Sequence, residues 1–344
     1  MSTTASRASG SGSPRVRLRY YTAQNTPLLL TVGVLAGMVA LYVVLFVLRN
    51  GRAPGGFELS TTVSSTMSSG LAAIGQTLVV LTGGIDLSVG GVVDVTNAVA
   101  AQMMVDNPAS IVLVSVLALL IGAGAGLLNG LLVAYGRLQP IIVTLATLAI
   151  WQGIALLVLP SAGGAIPPTL TNLLSGTIPA LFNLPCGLVV LGLLLLGWQF
   201  LRRTSFLVSL YAIGNDERAA RANGTPVLRA KVGAYTLGGL FAGAAGLYFA
   251  AVNTGGDATA GNSFTLTSIA AVVVGGLSLF GGRGSAVGAL AGAFILTLLI
   301  NVLFVAGANP QLQDFFQGLL LILAVAASTL VRWLLQRRRQ ATSS

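Results

Sequence analysis

Apolar residues form ten long stretches along the chain, and shorter polar segments separate them. A helix that crosses a lipid bilayer needs about 20 mostly apolar residues, so each stretch predicts one transmembrane helix. The third, sixth and eighth stretches are short, which predicts tilted, broken or re-entrant segments there. The pattern as a whole predicts an all-α polytopic membrane protein with about ten transmembrane helices. The predicted spans are 28–48, 62–83, 88–105, 111–134, 141–159, 187–201, 231–252, 265–280, 285–305 and 315–335.

Composition agrees with this prediction and excludes several kinds of site. The chain is 55% hydrophobic and only 8% charged, whereas soluble domains carry about 25% charged residues. It has no His and a single Cys, Cys186, so an intrachain disulfide and His- or Cys-based metal sites are excluded. We therefore expect no metal site. The net charge of +10 is interpreted as membrane topology rather than as a sign of nucleic-acid binding.

The basic residues predict an orientation. With ten spans and both termini in the cytoplasm, all Lys and Arg residues except Arg49 and Arg52 fall on the cytoplasmic side, as the positive-inside rule requires. Three regions follow from this assignment. Residues 1–27 are expected to be a disordered basic cytoplasmic segment, 28–335 the transmembrane domain and 336–344 a basic cytoplasmic tail.

Asp86 is an ionisable residue within an apolar region. An ionised group at membrane depth is costly and usually marks a functional path, a helix break or a buried pair. Glycines flank it at 83, 84, 90 and 91, and glycine lets the backbone leave helical geometry. We predict a broken or re-entrant segment near 83–91, after which a helix restarts with Asp86 or Ser88 as its N-cap. Capping by Asp86 is favoured about two to one over contact with a transported molecule.

The longest charged loop spans residues 202–231. Its centre, 215–224, predicts a helix of about two turns, with Asn215 as N-cap and Gly224 as C-cap. Pro226 follows and stops the helix. The segment is either a solvated connector or a helix on which a cytoplasmic partner docks. Its length favours the second interpretation, because a connector needs only a few residues.

Four motifs resemble those of one known family. TGGIDLSVG at 82–90 and YAIGNDERAARANG at 211–224 are similar to the signature and the cytoplasmic coupling loop of the permease subunits of ribose/xylose-type ABC sugar importers. GRLQPIIVTLA at 136–146 and IAAVVVGGLSLFGGRG at 269–284 agree with the same family. The resemblance runs in order from about residue 28 to 335. The segment 160–186 matches none of the family's patterns.

The resemblance implies a permease homodimer in the bacterial cytoplasmic membrane. Two cytoplasmic ATPase domains would drive it, on one fused chain or two copies, and an extracytoplasmic binding protein would deliver a small neutral sugar. This chain has no GxxxxGK[ST] motif, so it is expected to be no enzyme, to bind no cofactor and to leave ATP hydrolysis to its partner. The residues implied in ATPase coupling are Gly214, Asn215, Glu217, Ala219, Ala220, Arg221 and Gly224.

Amide and hydroxyl side chains within the membrane region are suited to bind an uncharged polyhydroxylated substrate. For each candidate, a competing interpretation is that the side chain only bonds a neighbouring backbone carbonyl. Two glycine-rich stretches, 122–126 and 238–246, predict close helix packing, with or without sliding. The candidates for the substrate path are Gln76, Asp86, Asp94, Asn97, Asn129, Gln152 and Asn253.

A second function remains open at this point. Asp86 and Asp94 could instead be the coupling carboxylates of an ion-driven secondary carrier. Such a carrier would need no ATPase partner, and its uptake would collapse with the ion gradient. The four ordered motifs favour the ABC importer.

Overall fold

The computed structural model describes residues 14–178, 181 and 183–309, and a few single positions between 312 and 326. Twelve helices and one short antiparallel hairpin occur in this part of the chain. The strands are β1 (Thr177–Ile178) and β2 (Leu184–Pro185). The helices are α1 (Pro14–Asn50), α2 (Gly56–Leu81), α3 (Val89–Met103), α4 (Pro108–Ala134), α5 (Pro140–Val158), α6 (Pro168–Ser175), α7 (Cys186–Leu201), α8 (Ser205–Asn215), α9 (Glu217–Ala222), α10 (Val227–Asn253), α11 (Gly261–Val274) and α12 (Ala286–Ala306).

Nine of the ten predicted spans coincide with helices, namely α1 to α5, α7, α10, α11 and α12. The tenth, 315–335, lies mostly outside the described residues. Within the described part, five helices are long and apolar enough to cross a bilayer, and a sixth span results if α7 and α8, bent by 76°, count as one. The polytopic helical class is therefore confirmed, while the number ten stays a prediction.

Helix α1 begins earlier than expected. It starts at Pro14, a residue type favoured in the first turn of a helix. Residues 14–27 are therefore helical, whereas the sequence predicted disorder for the whole of 1–27. Residues 1–13 lie outside the described part.

Helix α2 forms the centre of the bundle. Almost every residue from Thr62 to Leu81 is buried, and α10, α12, α11 and α7 all pack against it. Because its surroundings are protein, α2 tolerates several Ser and Thr residues and the amide of Gln76 without facing lipid. The hydropathy of α2 is therefore lower than its central position in the bundle would suggest.

Helices α4 and α10 meet along the predicted glycine seam. A Cβ atom at Gly122 would overlap the carbonyl oxygen of Gly239, and one at Gly126 would overlap that of Tyr235. Only glycine permits this approach of two backbones. The close packing is thus confirmed, and sliding along the seam stays a prediction.

The bundle has two chemically different ends. At one, α9 lies beside the end of α4 and the start of α10, and this basic end carries Arg137, Arg218, Arg221, Arg229, Lys231 and Arg283. At the opposite end, the loop 159–167 and the loop 254–260 pair through a bridge between Gly163 and Gly256. The segment 160–186, unmatched by any motif, forms α6 and the hairpin there, and the Tyr248 hydroxyl of α10 donates to the carbonyl oxygen of Leu174 at 2.8 Å.

Candidate functional site

The break between α2 and α3 is present and spans residues 82–88. Gly83 adopts φ +81°, which closes the end of α2 in a conformation that only glycine adopts readily. The predicted range of 83–91 was too long at its far end, because α3 begins at Val89. Gly90 and Gly91 are helical, and their lack of a side chain lets α11 and α5 approach α3 closely.

Asp86 organises the turn into α3. Its Oδ1 accepts hydrogen bonds from the backbone N–H of Ser88 at 2.8 Å and from the Ser88 hydroxyl at 2.6 Å. The carboxyl group is buried, with 2% of the residue exposed. Ser88 is the N-cap residue, although its own side chain makes no capping bond. Of the two residues that the sequence offered as N-cap, Ser88 occupies the position, and Asp86 holds Ser88 rather than the first N–H groups of α3.

A chain of buried side chains connects this turn to two further helices. The Asn129 amide of α4 donates to Ser88 Oγ at 2.8 Å, and its Oδ1 accepts from the Thr147 hydroxyl of α5 at 2.8 Å. Asn129 and Thr147 are both buried. Buried polar groups of this kind are stabilising only when each is satisfied. The chain Asp86–Ser88–Asn129–Thr147 thus fixes α3, α4 and α5 around the break.

Gln76 satisfies the backbone of the same segment from α2. With its amide oriented to match its neighbours, the side chain donates to the Asp86 carbonyl oxygen at 3.0 Å and accepts from the Asp86 N–H at 3.3 Å. Gln76 is fully buried. A non-helical segment inside a membrane bundle requires such partners, because water does not supply them.

Asp94 and Asn97 contact the opposite end of the bundle instead. Asp94 Oδ1 accepts from the N–H of Gly261, the first residue of α11, at 2.6 Å. Asn97 bonds both backbone groups of Asp257, accepting from its N–H at 2.8 Å and donating to its carbonyl at 3.0 Å. Both side chains are buried. They position the entry to α11, and Asp94 Oδ2 has no hydrogen-bond partner among the described residues.

Gln152 and Asn253 are the accessible members of the predicted set. The Gln152 amide of α5 donates to Asn262 Oδ1 of α11 at 2.9 Å. Because α3 packs against both α5 and α11, the Gln152–Asn262 bond joins the two helices that flank α3. Asn253 is exposed and its amide bonds only the Phe249 carbonyl of its own helix. Asn262 was not predicted because it precedes the predicted span 265–280, whereas α11 already begins at Gly261.

The helix predicted at 215–224 is present as α9, with corrected boundaries, and its docking role stays a prediction. Its N-cap is Asp216, whose carboxylate accepts from the N–H groups of Arg218 and Ala219. Asn215 is the last residue of α8, a helix that the sequence reading treated as loop. Both residue types cap helices well, but the apolar stretch 205–215 continues helical packing through Asn215. Gly224 follows the C-cap Asn223 at φ +80°, as expected for a helix stop.

Helix α9 is fixed to the bundle on one side and exposed on the other. Ala220 is buried beside Trp198 and Val227. Glu217 accepts from Lys231 Nζ at 2.7 Å and pairs with Arg221 at 3.0 Å, and the Lys231 ammonium, followed by Arg221, holds the pKa of the Glu217 carboxyl below its usual range. The outward side forms a cleft of about 650 Å³, lined by Glu217, Arg218, Arg221 and Ala222.

These groups form two separate clusters: a polar break inside the bundle and an exposed helix at the basic end. Within the described residues, no three His, Cys, Asp or Glu side chains lie together in a way that could hold a metal ion.

Comparison with known proteins gives consistent results. A family model described as "Branched-chain amino acid transport system / permease component" matches residues 58–325. The chain is 37% identical over 267 residues to the ribose import permease protein RbsC of Bacillus subtilis, covering 75% of this chain and 80% of that protein. It is 38% identical over 312 residues to the autoinducer 2 import system permease protein LsrC of Klebsiella pneumoniae, covering 88% of each.

A third relative, the ribose import permease protein RbsC of Escherichia coli K12, is 35% identical over 271 residues, covering 78% of this chain and 84% of that protein. No solved structure matches the chain. The resemblance drawn from the four motifs is confirmed, and the chain belongs to this family of ABC importer permease components.

Proposed function

We propose that the protein is the membrane-spanning subunit of an ATP-driven importer that takes up a small neutral sugar or a related polyhydroxylated molecule. The observation that carries this proposal is α9, a helix fixed to the bundle by buried Ala220 and presenting Arg218, Arg221 and Ala222 outward. The names of the relatives, which import ribose and autoinducer 2, supply the substrate class.

The proposed partners divide between the two ends of the bundle. An ATPase subunit docks on α9 at the basic end, which lies in the cytoplasm by the positive-inside rule. A soluble binding protein delivers substrate at the opposite end, where the 159–167 and 254–260 loops meet. A second copy of the chain completes the channel in the bacterial cytoplasmic membrane. The chain itself binds no nucleotide.

The proposed path runs along the polar groups described above. Gln152 and Asn253 lie nearest the opposite end and offer amides to substrate hydroxyls. The buried set of Gln76, Asp86, Asn129, Asp94 and Asn97 lies beneath, and it is expected to become accessible only when the bundle rearranges. Alternating access of this kind relies on rigid groups of helices that move around a central site.

The docking role is tested by charge reversal on α9. Arg218→Glu places an acidic side chain on the exposed face of the helix, and Arg203→Glu makes the same change at another exposed arginine of the 202–231 loop. After mild-detergent purification of each tagged variant, we expect the ATPase subunit to co-purify with wild type and Arg203→Glu but to be depleted about tenfold with Arg218→Glu, as for loss of a central interface arginine.

Equal recovery of the ATPase with both variants would show that α9 is not the docking site. If wild type elutes alone and reconstituted uptake follows an ion gradient, the importer assignment itself fails. The protein would then be a secondary carrier with Asp86 and Asp94 as the candidate coupling groups.

A further inference from the structure

Three backbone segments meet at the basic end of the bundle: the last turn of α8, the end of α2 and the 275–285 loop between α11 and α12. The N–H of Gly282 donates to the Leu81 carbonyl oxygen at 3.0 Å. The Asn215 amide donates to the Gly282 carbonyl oxygen at 3.2 Å. The Tyr211 hydroxyl donates to the Gly284 carbonyl oxygen at 2.6 Å. The 275–285 loop is therefore hydrogen-bonded directly both to the end of α2 and to the last turn of α8.

Glycines remove any side chain from between these segments. A Cβ atom at Gly214 would overlap the Leu81 carbonyl oxygen and the Gly282 nitrogen. A Cβ atom at Gly281 would lie 2.8 Å from the Gly83 nitrogen and 2.9 Å from the Gly214 Cα. Gly281 and Gly282 also have φ values of +87° and +70°, which other residues adopt only with strain. Backbone thus rests directly on backbone at Gly214 and Gly281, and the Asn215 and Tyr211 side chains add hydrogen bonds to the same loop.

Helix α9 is connected to this contact by a single residue. Asp216 is both the C-cap of α8 and the N-cap of α9. A displacement of α9 therefore passes through Asp216 to Asn215 and Gly214. On the far side, Gly83 is already part of the 82–88 break. Closely packed groups transmit displacement because no flexible side chain lies between them to absorb it.

We propose that Gly214, Asn215, Gly281 and Gly282 form a coupling joint that passes movement of the docking helix α9 to the broken segment 82–88. The inference rests on the proposed function of α9 as the ATPase-docking helix, and it adds positioning residues that act through the break. The 275–285 loop thereby has a role that neither its sequence motif nor the docking surface accounts for.

The test compares two asparagines of the same loop. The amides of Asn215 and Asn223 each bond the carbonyl four residues earlier in their own helix at 2.8 Å. Only Asn215 also reaches the 275–285 loop. Asn215→Ala therefore removes one joint contact, and Asn223→Ala is its matched control. Gly214→Ala is the stronger variant, with Gly197→Ala, where nothing lies within 4 Å of the added methyl group, as control.

The readout is the reactivity of a probe in the break and needs no substrate. Half-buried Ile85 is changed to Cys in a Cys186→Ala background, and its maleimide labelling rate is measured in the ATPase complex with and without ATP and vanadate. We expect nucleotide to change the rate about fivefold or more, the lower part of the usual coupling range. With labelling measured only on the complex that co-purifies with the ATPase, Asn215→Ala and Gly214→Ala should reduce that change more than their controls Asn223→Ala and Gly197→Ala do.

The outcomes separate the two proposals. Loss of ATPase co-purification in the parent protein would contradict the proposed function. A complex that forms normally, but whose nucleotide response is absent in the parent or unchanged in Asn215→Ala, would overturn the joint. Equal loss in Asn215→Ala and Asn223→Ala would also overturn it, because the effect would then belong to the loop in general.

Discussion

The segments 82–88 and 275–285 both interrupt the helices of the bundle, but they are held by different means. Side chains complete the first: Asp86 and Ser88 bond each other, and Gln76 and Asn129 reach in from α2 and α4. The second is completed mostly by backbone, with four glycines at positive φ at 276, 281, 282 and 284. Both leave helical geometry, but the first has four buried polar side chains around it, whereas in the second Ser278 is the buried polar side chain that bonds the loop backbone.

The difference indicates how each segment responds to change. A turn held by side chains is specific and stiff, since each buried donor needs its particular acceptor. A turn held by glycines tolerates altered side chains but no added Cβ atoms. We therefore expect the 82–88 segment to be sensitive to polar truncation and the 275–285 loop to be sensitive to glycine replacement.

The largest effect is expected at Asn129. Asn129→Leu removes the amide donor to Ser88 Oγ and leaves the Thr147 hydroxyl only the longer bond to the Thr144 carbonyl oxygen, at a combined cost of about 1–3 kcal/mol. Thermal unfolding in detergent should show a clear fall in Tm. Asn253→Leu alters an exposed amide that bonds only its own helix and should change stability by less than about 0.5 kcal/mol. Equal effects would mean that side chains do not hold the first segment.

Gly281→Ala should have the next largest effect. It adds strain of about 1–3 kcal/mol at positive φ and a methyl group against Gly83 and Gly214. Gly224→Ala introduces similar strain at φ +80° with nothing within 4 Å. The difference in Tm between the two variants measures the contact alone. If Gly224→Ala is as damaging as Gly281→Ala, the close approach contributes nothing.

Asp86 variants separate hydrogen bonding from charge. Asp86→Asn keeps an acceptor for the Ser88 N–H, whereas Asp86→Ala removes it, so the alanine variant should be less stable by about 1 kcal/mol. We expect uptake in vesicles to follow stability, with the asparagine variant retaining most activity. An asparagine variant that folds normally but is inactive would show that the negative charge itself is required.

The smallest effect concerns the ion pair between Glu217 of α9 and Lys231 of α10. The pKa of Glu217 is lowered, mainly by Lys231, so its stabilising contribution is present above the ordinary glutamate pKa and is lost as pH falls through the lower folded value. Recovery of the ATPase subunit should therefore be constant from about pH 8 to 5 and should decline only in stronger acid. A decline between pH 7 and 6 would contradict this assignment, and Glu217→Gln should remove the acid dependence.

Sequence reasoning was accurate where the information is local. Glycines around Asp86 predicted the break, and the Gly224–Pro226 stop predicted the end of α9. It was wrong about the N-cap of α9, because Asn215 and Asp216 are adjacent and both suit the position. It did not foresee that Asn129 meets Ser88, 41 residues away, since one sequence contains no direct sign of such pairing. The substrate roles of the path candidates stay predictions.

The bonds from Asp94 and Asn97 also affect how the protein is made. Their partners Gly261 and Asp257 follow 167 and 160 residues later. A ribosome adding about 5–20 residues per second needs roughly 10–30 s to cover that distance. During this interval α3 has left the ribosome without the groups that satisfy its carboxylate and amide. We therefore expect α3 to reach its final packing only after the 257–261 segment has been made.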